Sequence, residues 1–244
     1  MNPIEQFNKE VEGNLKNQAN DVAIKASSNK FLQDSINSKY SYNFSWMGRP
    51  IIAYPQDMIA MQEIIWEVKP DLIIEAGIAH GGSIVYYASL LELIGGDGLV
   101  LGIDIDIRKH NRDLIEAHPM KKRIEMIEGS SISAEVAAQV YEIAKNKKTI
   151  MVCLDSNHTH DHVLEELKLY APLTSVGSFC VIFDTVVEDL PKDQYNDRPW
   201  DVGNNPKTAV FEYLKDNSDF EINKEIDNKL LISVAPDGYL KRIK

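Results

Sequence analysis

Three residues stand where apolar runs give way to polar chain. Asp155 follows IMVCL, Asp184 follows FCVIF, and His158 lies three residues after Asp155. Read as buried strands, the two runs bring both carboxylates to the carboxyl edge of a sheet, where open α/β folds bind ligands. Two carboxylate oxygens completed by waters and substrate hydroxyls suit magnesium, which keeps several waters and takes few protein ligands. A metal on Asp155 and Asp184 would bind a substrate hydroxyl as a Lewis acid. A neutral His158 imidazole beside it is placed to remove the proton. The neighbouring HTHDH run imitates a richer metal cluster. On a helix, however, His158 and His162 share a face while His160 points elsewhere, so His160 and His162, with Asp161, are expected to be solvated helix-start residues.

A second set lies in Asp71 to Ser83, DLIIEAGIAHGGS. An apolar strand, a tight turn and a helix N-terminus follow one another. Glycine lets backbone approach a ligand, and the first N–H groups of the helix have no internal partners. The turn lacks the second glycine of the dinucleotide fingerprint and places Glu75 before Gly77. A carboxylate there repels pyrophosphate but accepts hydrogen bonds from an ammonium group, which favours S-adenosylmethionine. Asp104, directly after the strand LVLGI, can take both ribose hydroxyls, a contact that NAD binding also uses. Ser130 and Ser131 of IEGSS border the adenine or simply face solvent. The candidate cofactor residues are therefore Glu75, Gly77, Gly81, Ser83, Asp104 and Ser130. Solvated strand ends or helix caps are the plain alternative for Glu75 and Asp104, as exposure is for His80.

Strand candidates at 72–76, 99–103, 123–127, 149–154 and 179–183 alternate with helix candidates at 83–94, 106–117, 133–145 and 160–170. That alternation predicts right-handed crossovers and a parallel sheet covered on both faces. A polar loop from Thr185 to Pro206 is long enough to be a lid or a partner-binding segment, with Tyr195, Arg198 and Trp200 as candidate substrate walls. A helix at 207–216 and strand-like runs at 219–223 and 229–234 suggest a closing antiparallel pair. Before the sheet, residues 1 to about 30 read as a helical arm, free or ordered on a partner subunit. The aromatic segment YSYNFSWMGRPIIAY (40–54) is a lid, a substrate wall or an ordinary packing arm, and 55–68 is a helix.

The chain of 244 residues is 44% apolar and carries 26 Lys and Arg against 37 Asp and Glu, a formal net charge of −11. That balance argues against nucleic acid and anionic membranes as partners. No apolar run approaches the roughly 20 residues that span a bilayer, and the N-terminal residues lack a secretory h-region. Cys153 and Cys180 each sit in an apolar run, as buried reduced thiols would. A soluble cytoplasmic protein is expected.

Five segments in order, KPDLIIEAGIAHGGS, LGIDIDI, IEGSS, CLDSNHTHDHVLEELKLYAPL and KLLISVAPDGYLKRI, resemble the class I S-adenosylmethionine-dependent methyltransferases. The similarity runs from about Tyr40 to the C-terminus. Within that class the chain is most similar to the cephalosporin-hydroxylase-type branch, which includes macrolide-sugar O-methyltransferases. The resemblance implies an α/β Rossmann-like fold whose seven-stranded, mostly parallel sheet has an antiparallel last strand. Residues 1–68 are expected to form an N-terminal helical and aromatic arm, a lid or an oligomer contact, before the methyltransferase domain (69–244). The resemblance places methionine contacts near Glu75 and Gly77 and ribose contacts at Asp104. It implies a divalent metal, usually magnesium, and a homo-oligomer. In the macrolide-sugar relatives a D-x-x-H arrangement supplies a metal ligand and a base, which here falls on Asp155 and His158. Where relatives carry an acidic pair after the fifth strand, this chain has Phe183-Asp184. Asn157, which aligns with an acid in some relatives, would supply a neutral oxygen instead. The implied activity is O-methylation of a sugar or another polyhydroxylated small molecule. A non-catalytic binding or assembly protein on the same fold and a hydroxylase are the alternatives.

Overall fold

Alternate residues along the central strands belong to two separate cores. In the computed structural model, which describes residues 2–194 and 197–244, five parallel strands β3 (Leu72–Ala76), β4 (Leu99–Asp104), β5 (Ile124–Glu128), β6 (Ile150–Leu154) and β7 (Phe179–Ile182) form the sheet, preceded by a short hairpin of β1 (Phe44–Trp46) and β2 (Arg49–Ile51). Ile73, Val100, Met151 and Val181 face one layer, with α3 (Pro55–Val68) and α4 (Gly82–Ile94). Leu72, Leu101, Val152 and Ile182 face the other, with α6 (Ala134–Ala144), α7 (His160–Tyr170) and α8 (Pro206–Asp216). Burial on both faces is why these runs are apolar without alternation. Cys153 pairs with Val181 and Cys180 with Val152, so the two free thiols point to opposite layers.

The sheet order is β5-β4-β3-β6-β7-β9-β8, with β8 (Phe220–Ile222) and β9 (Tyr239–Arg242) added at the β7 edge. β9 runs antiparallel to both neighbours. The expected seven-stranded, mostly parallel α/β fold with an antiparallel last strand is therefore present. The last strand lies ten residues further along than the 229–234 run suggested. Asn223 accepts hydrogen bonds from the Glu225 and Ile226 amides and starts α9 (Lys224–Leu230). The apolar residues after it leave the sheet: Ile232 and Val234 pack against a small core of Leu32, Tyr54, Val186 and Leu190. The chain regains the sheet at Gly238, where a Cβ would lie 2.1 Å from the Ile182 carbonyl oxygen.

β3 lies between β4 and β6, where the strand order reverses, and the carboxyl edge at such a switch point is where open α/β sheets bind ligands. α5 (Lys109–Glu116) begins later than the apolar pattern suggests, because the Asp104 carboxylate takes the Asp106 amide and holds the chain in a turn. At the N-terminus, α1 (Pro3–Asn20) starts with an Asn2–Glu5 capping box and α2 (Val22–Asn37) with Asp21 as its cap. Among the described residues no helix is long and apolar enough to cross a membrane.

Candidate active site

A cavity of about 760 Å³ lies at the carboxyl edge, walled by the ends of β3, β4, β6 and β7, by residues 36–61 and by the loop after β7. Gly77 ends β3 with φ of 90°, and a Cβ there would sit 2.1 Å from the Asp155 carbonyl oxygen. Only glycine lets the first turn pass over the end of β6. Beneath the turn, Glu75 is 1% exposed and accepts a 2.7 Å hydrogen bond from the Ser83 hydroxyl. Burial pushes its carboxyl up to about 8, against the opposing Ser83 hydrogen bond. Among the described residues no cation pairs with Glu75, so a cationic ligand beside it would favour the ionised form that burial opposes.

Asp104 lines the cavity, but its carboxylate already has partners. Oδ2 accepts from the Ile78 and Ala79 amides at 3.0 and 3.2 Å, and Oδ1 from Asp106 at 3.1 Å. It therefore shapes the glycine turn from below as well as offering oxygen to a ligand. Gly81 does not line the cavity: its φ of 79° turns the chain into α4 against Ile115, and Gly82 reaches the wall instead. Ser130 is also away from the cavity. Ser131 is buried in a polar knot in which Ser131 and Ser156 each donate to Glu166 Oε1 at 2.5 Å, with His162 Nε2 within 3.2 Å of both hydroxyls.

Asp155, His158 and Asp184 converge, each offering a ligand atom within 4.8 Å of the others. His158 Nε2 lies 3.1 Å from Asp184 Oδ2. Burial raises the Asp155 carboxyl well above the usual range, and the nearby Asp184 and Glu75 carboxylates raise it further. Among the described residues no lysine or arginine pairs with these two carboxylates, and together with the imidazole they fit a divalent cation. Asp184 itself holds a left-handed φ of 54°, the kind of backbone strain that persists at functional sites. Asn157 does not line the cavity, and its side-chain oxygen accepts from the Thr159 amide at 2.9 Å and hydroxyl at 2.8 Å. Phe183 adds an apolar face to the cavity in place of a second acid.

His160 and His162 are not the solvated residues expected. His160 Nδ1 lies 2.8 Å from the Thr208 hydroxyl and Nε2 3.4 Å from Glu212, tying α7 to α8, while His162 belongs to the Glu166 knot. From the loop after β7, Trp200 meets the His158 ring edge-on at 4.7 Å, and the Arg198 guanidinium lies 5.4 Å from the Trp200 ring centre. Tyr195 lies outside the described residues. His80 lines the cavity. Sequence reasoning missed Asp57, whose buried carboxylate accepts from the hydroxyls of Ser233 and Tyr239 and the Val234 amide. Burial lifts its carboxyl to about 6. It also missed Arg49, the one cation inside the aromatic segment. Neither carries a spacing signal, because their partners are far away in the chain.

The strand order, the antiparallel β9 and a glycine turn over a buried acid define a class I methyltransferase. The chain belongs to the Rhamnosyl O-methyltransferase/CmcI family, whose model matches residues 38–243. It is 32% identical over 189 residues to a rhamnosyl O-methyltransferase of Mycobacterium tuberculosis, covering 76% of this chain and 73% of the relative. To the rhamnosyl O-methyltransferase of Mycobacterium leprae it is 31% identical over 204 residues, with 81% and 82% covered. Among solved structures, apo CmcI superposes with a TM-score of 0.61 at 22% identity, covering 83% of this chain and 77% of that one. CmcI with magnesium and S-adenosylmethionine gives 0.58 at 20% identity, with 83% and 78% covered. These likenesses bear out the family read from the motifs and the fold it implied.

Proposed function

We propose that the protein transfers the methyl group of S-adenosylmethionine to a hydroxyl of a sugar or similar polyhydroxylated molecule, with help from a divalent metal such as magnesium. The observation that carries this reading is the placement of the Asp155–His158–Asp184 cluster and the Glu75–Gly77 turn on one cavity. The mycobacterial relatives named for rhamnosyl O-methylation support the acceptor class.

Glu75 would receive the ammonium of the methionine end, Ser83 fixing the carboxylate from behind. Asp104 would face the ribose. Asp155 and Asp184 would hold the metal, which when bound supplies a positive charge that acidifies a neighbouring hydroxyl. His158, oriented by Asp184 and by the Trp200 edge, would take the proton of the acceptor hydroxyl. Trp200 and Phe183 offer apolar faces for a sugar ring. A hydroxylase of the non-haem iron type uses two histidines and one carboxylate, whereas this cluster has one histidine and two carboxylates. We assign the aromatic segment 40–54 to the cavity wall and α1 and α2 to contacts between copies in a cytoplasmic homo-oligomer.

Calorimetry with S-adenosylhomocysteine tests the cofactor half, and the absence of binding ends the reading. A methyl-transfer assay over a sugar panel, with magnesium and with chelator, tests the rest. Cofactor binding without transfer to any acceptor would favour the non-catalytic alternative, which Phe183 at the place of an acid motivates.

A further inference from the structure

Arg49 is 5% exposed, and no carboxylate pairs with it among the described residues. Its charge is spent on the glycine turn. Nε donates to the His80 carbonyl oxygen at 3.0 Å and Nη2 donates to the same oxygen. Nη2 also reaches Asn111 Oδ1 at 2.9 Å, and Asn111 Nδ2 donates to the Ala79 carbonyl oxygen at 3.1 Å. The turn is thereby gripped from two sides: Asp104 takes its amides at 78 and 79, while Arg49 and Asn111 take its carbonyls at 79 and 80. Ala79 needs that grip, because it holds φ of 44° without being glycine.

The hairpin that carries Arg49 is seated firmly. The Trp46 indole donates to the Ser89 hydroxyl at 3.0 Å, and its ring meets Tyr86 edge-on at 4.9 Å. Gly82 lets the hairpin close on α4, since a Cβ there would lie 2.1 Å from the Pro50 carbonyl oxygen. The segment just after Arg49, Pro50 to Tyr54, then lines the cavity. Buried arginine suits this task because its fixed fork satisfies several oxygens at once, whereas lysine is a point donor.

We infer that Arg49, braced by Asn111, is a positioning residue that presets the S-adenosylmethionine turn, so that the N-terminal hairpin is a built-in part of the cofactor site and not a detachable lid. This rests on the cofactor reading above. Removing a donor from these partly buried carbonyls costs on the order of 1 kcal/mol, enough to loosen the turn by about one order of magnitude in binding. For Arg49→Met, calorimetry should show S-adenosylhomocysteine binding weakened about tenfold, KM for S-adenosylmethionine raised to match, and kcat at saturating cofactor changed far less. Arg49→Lys should recover part of the loss, and Asn111→Ala should reproduce a smaller one; if Arg49→Met does not fold, Asn111→Ala decides. Unchanged affinity in these variants overturns the inference, as does a fall in kcat with KM for the cofactor unmoved. Failure of the unmodified protein to bind S-adenosylhomocysteine would instead strike the cofactor reading itself.

Discussion

Glu75 ties the chemistry of the site to pH. Its folded value of about 8 lies above the ordinary glutamate range near 4.3. Between those values the folded chain holds a proton that the unfolded chain has released, so this group's contribution makes stability fall as pH rises through the window. Glu75→Gln should remove that slope and raise Tm near pH 8, checked by thermal unfolding across pH. The same substitution should weaken S-adenosylhomocysteine binding, because a neutral amide cannot balance an ammonium. Binding to the unmodified protein at pH 7 should release about one proton as the acid ionises against the ligand's amine. Calorimetry in two buffers of different ionisation enthalpy reads that release, and buffer-independent heats would remove the ammonium pairing.

His158 and Asp184 should separate chemistry from cofactor binding. His158→Ala should lower kcat by roughly 10² to 10⁴, the span of general-base contributions, with S-adenosylhomocysteine affinity kept. Full activity in that variant would remove the base assignment and leave the methyl-transfer reading standing. If Asp184 holds magnesium as proposed, Asp184→Asn should raise the magnesium concentration needed for half-maximal activity, since a carboxylate is lost while shape is retained.

The elements make a sharper statement about which glycines matter. Alanine at 77 meets backbone, the Asp155 carbonyl oxygen at 2.1 Å, and must also adopt φ of 90°. At 81 the conformation is similarly unfavourable, but the nearest atoms belong to the flexible end of Ile115. The backbone strain alone is worth about 1–3 kcal/mol in each case. Gly77→Ala should therefore destabilise the fold more than Gly81→Ala, and denaturant titration gives the order; the reverse order would mean that the turn can move off β6. These glycine contacts also show what the sequence makes legible. Strands β3 to β7 were readable because burial on both faces writes an apolar run, and Asp155 and Asp184 because each directly ends such a run. The final strand was misplaced because LLISV is apolar for docking against Leu32 and Val186, not for pairing. Asn157, Gly81 and Ser130 share loops with site residues, but their orientation depends on Thr159, Ile115 and Ser133. Arg49 was invisible because its partners lie 31 and 62 residues away.

At the scale of the whole molecule, α1 sets a problem that one copy of the chain leaves open. This helix of 18 residues buries none of them, although Ile4, Phe7, Val11 and Leu15 follow helical spacing along one side. Ile4 is 72% and Phe7 64% exposed, and Val22 at the start of α2 is 80% exposed. Most of a helix's stability in a protein comes from packing its apolar stripe against a neighbour. The C-terminal half of α1 meets the body, with Gln18 Nε2 donating to the Asn228 carbonyl oxygen of α9 at 2.7 Å, while the Ile4 end stays bare. A second copy is the cover that needs no further molecule, and a closed symmetric assembly is the usual result when a chain buries such a patch against itself. Sedimentation should therefore show a homo-oligomer, and the paired substitutions Ile4→Asp and Phe7→Asp should shift it towards monomer. S-adenosylhomocysteine binding should survive in that variant, because neither residue lines the cavity. A monomeric unmodified protein would refute the assembly, and an oligomer indifferent to both substitutions would place its interface elsewhere than α1.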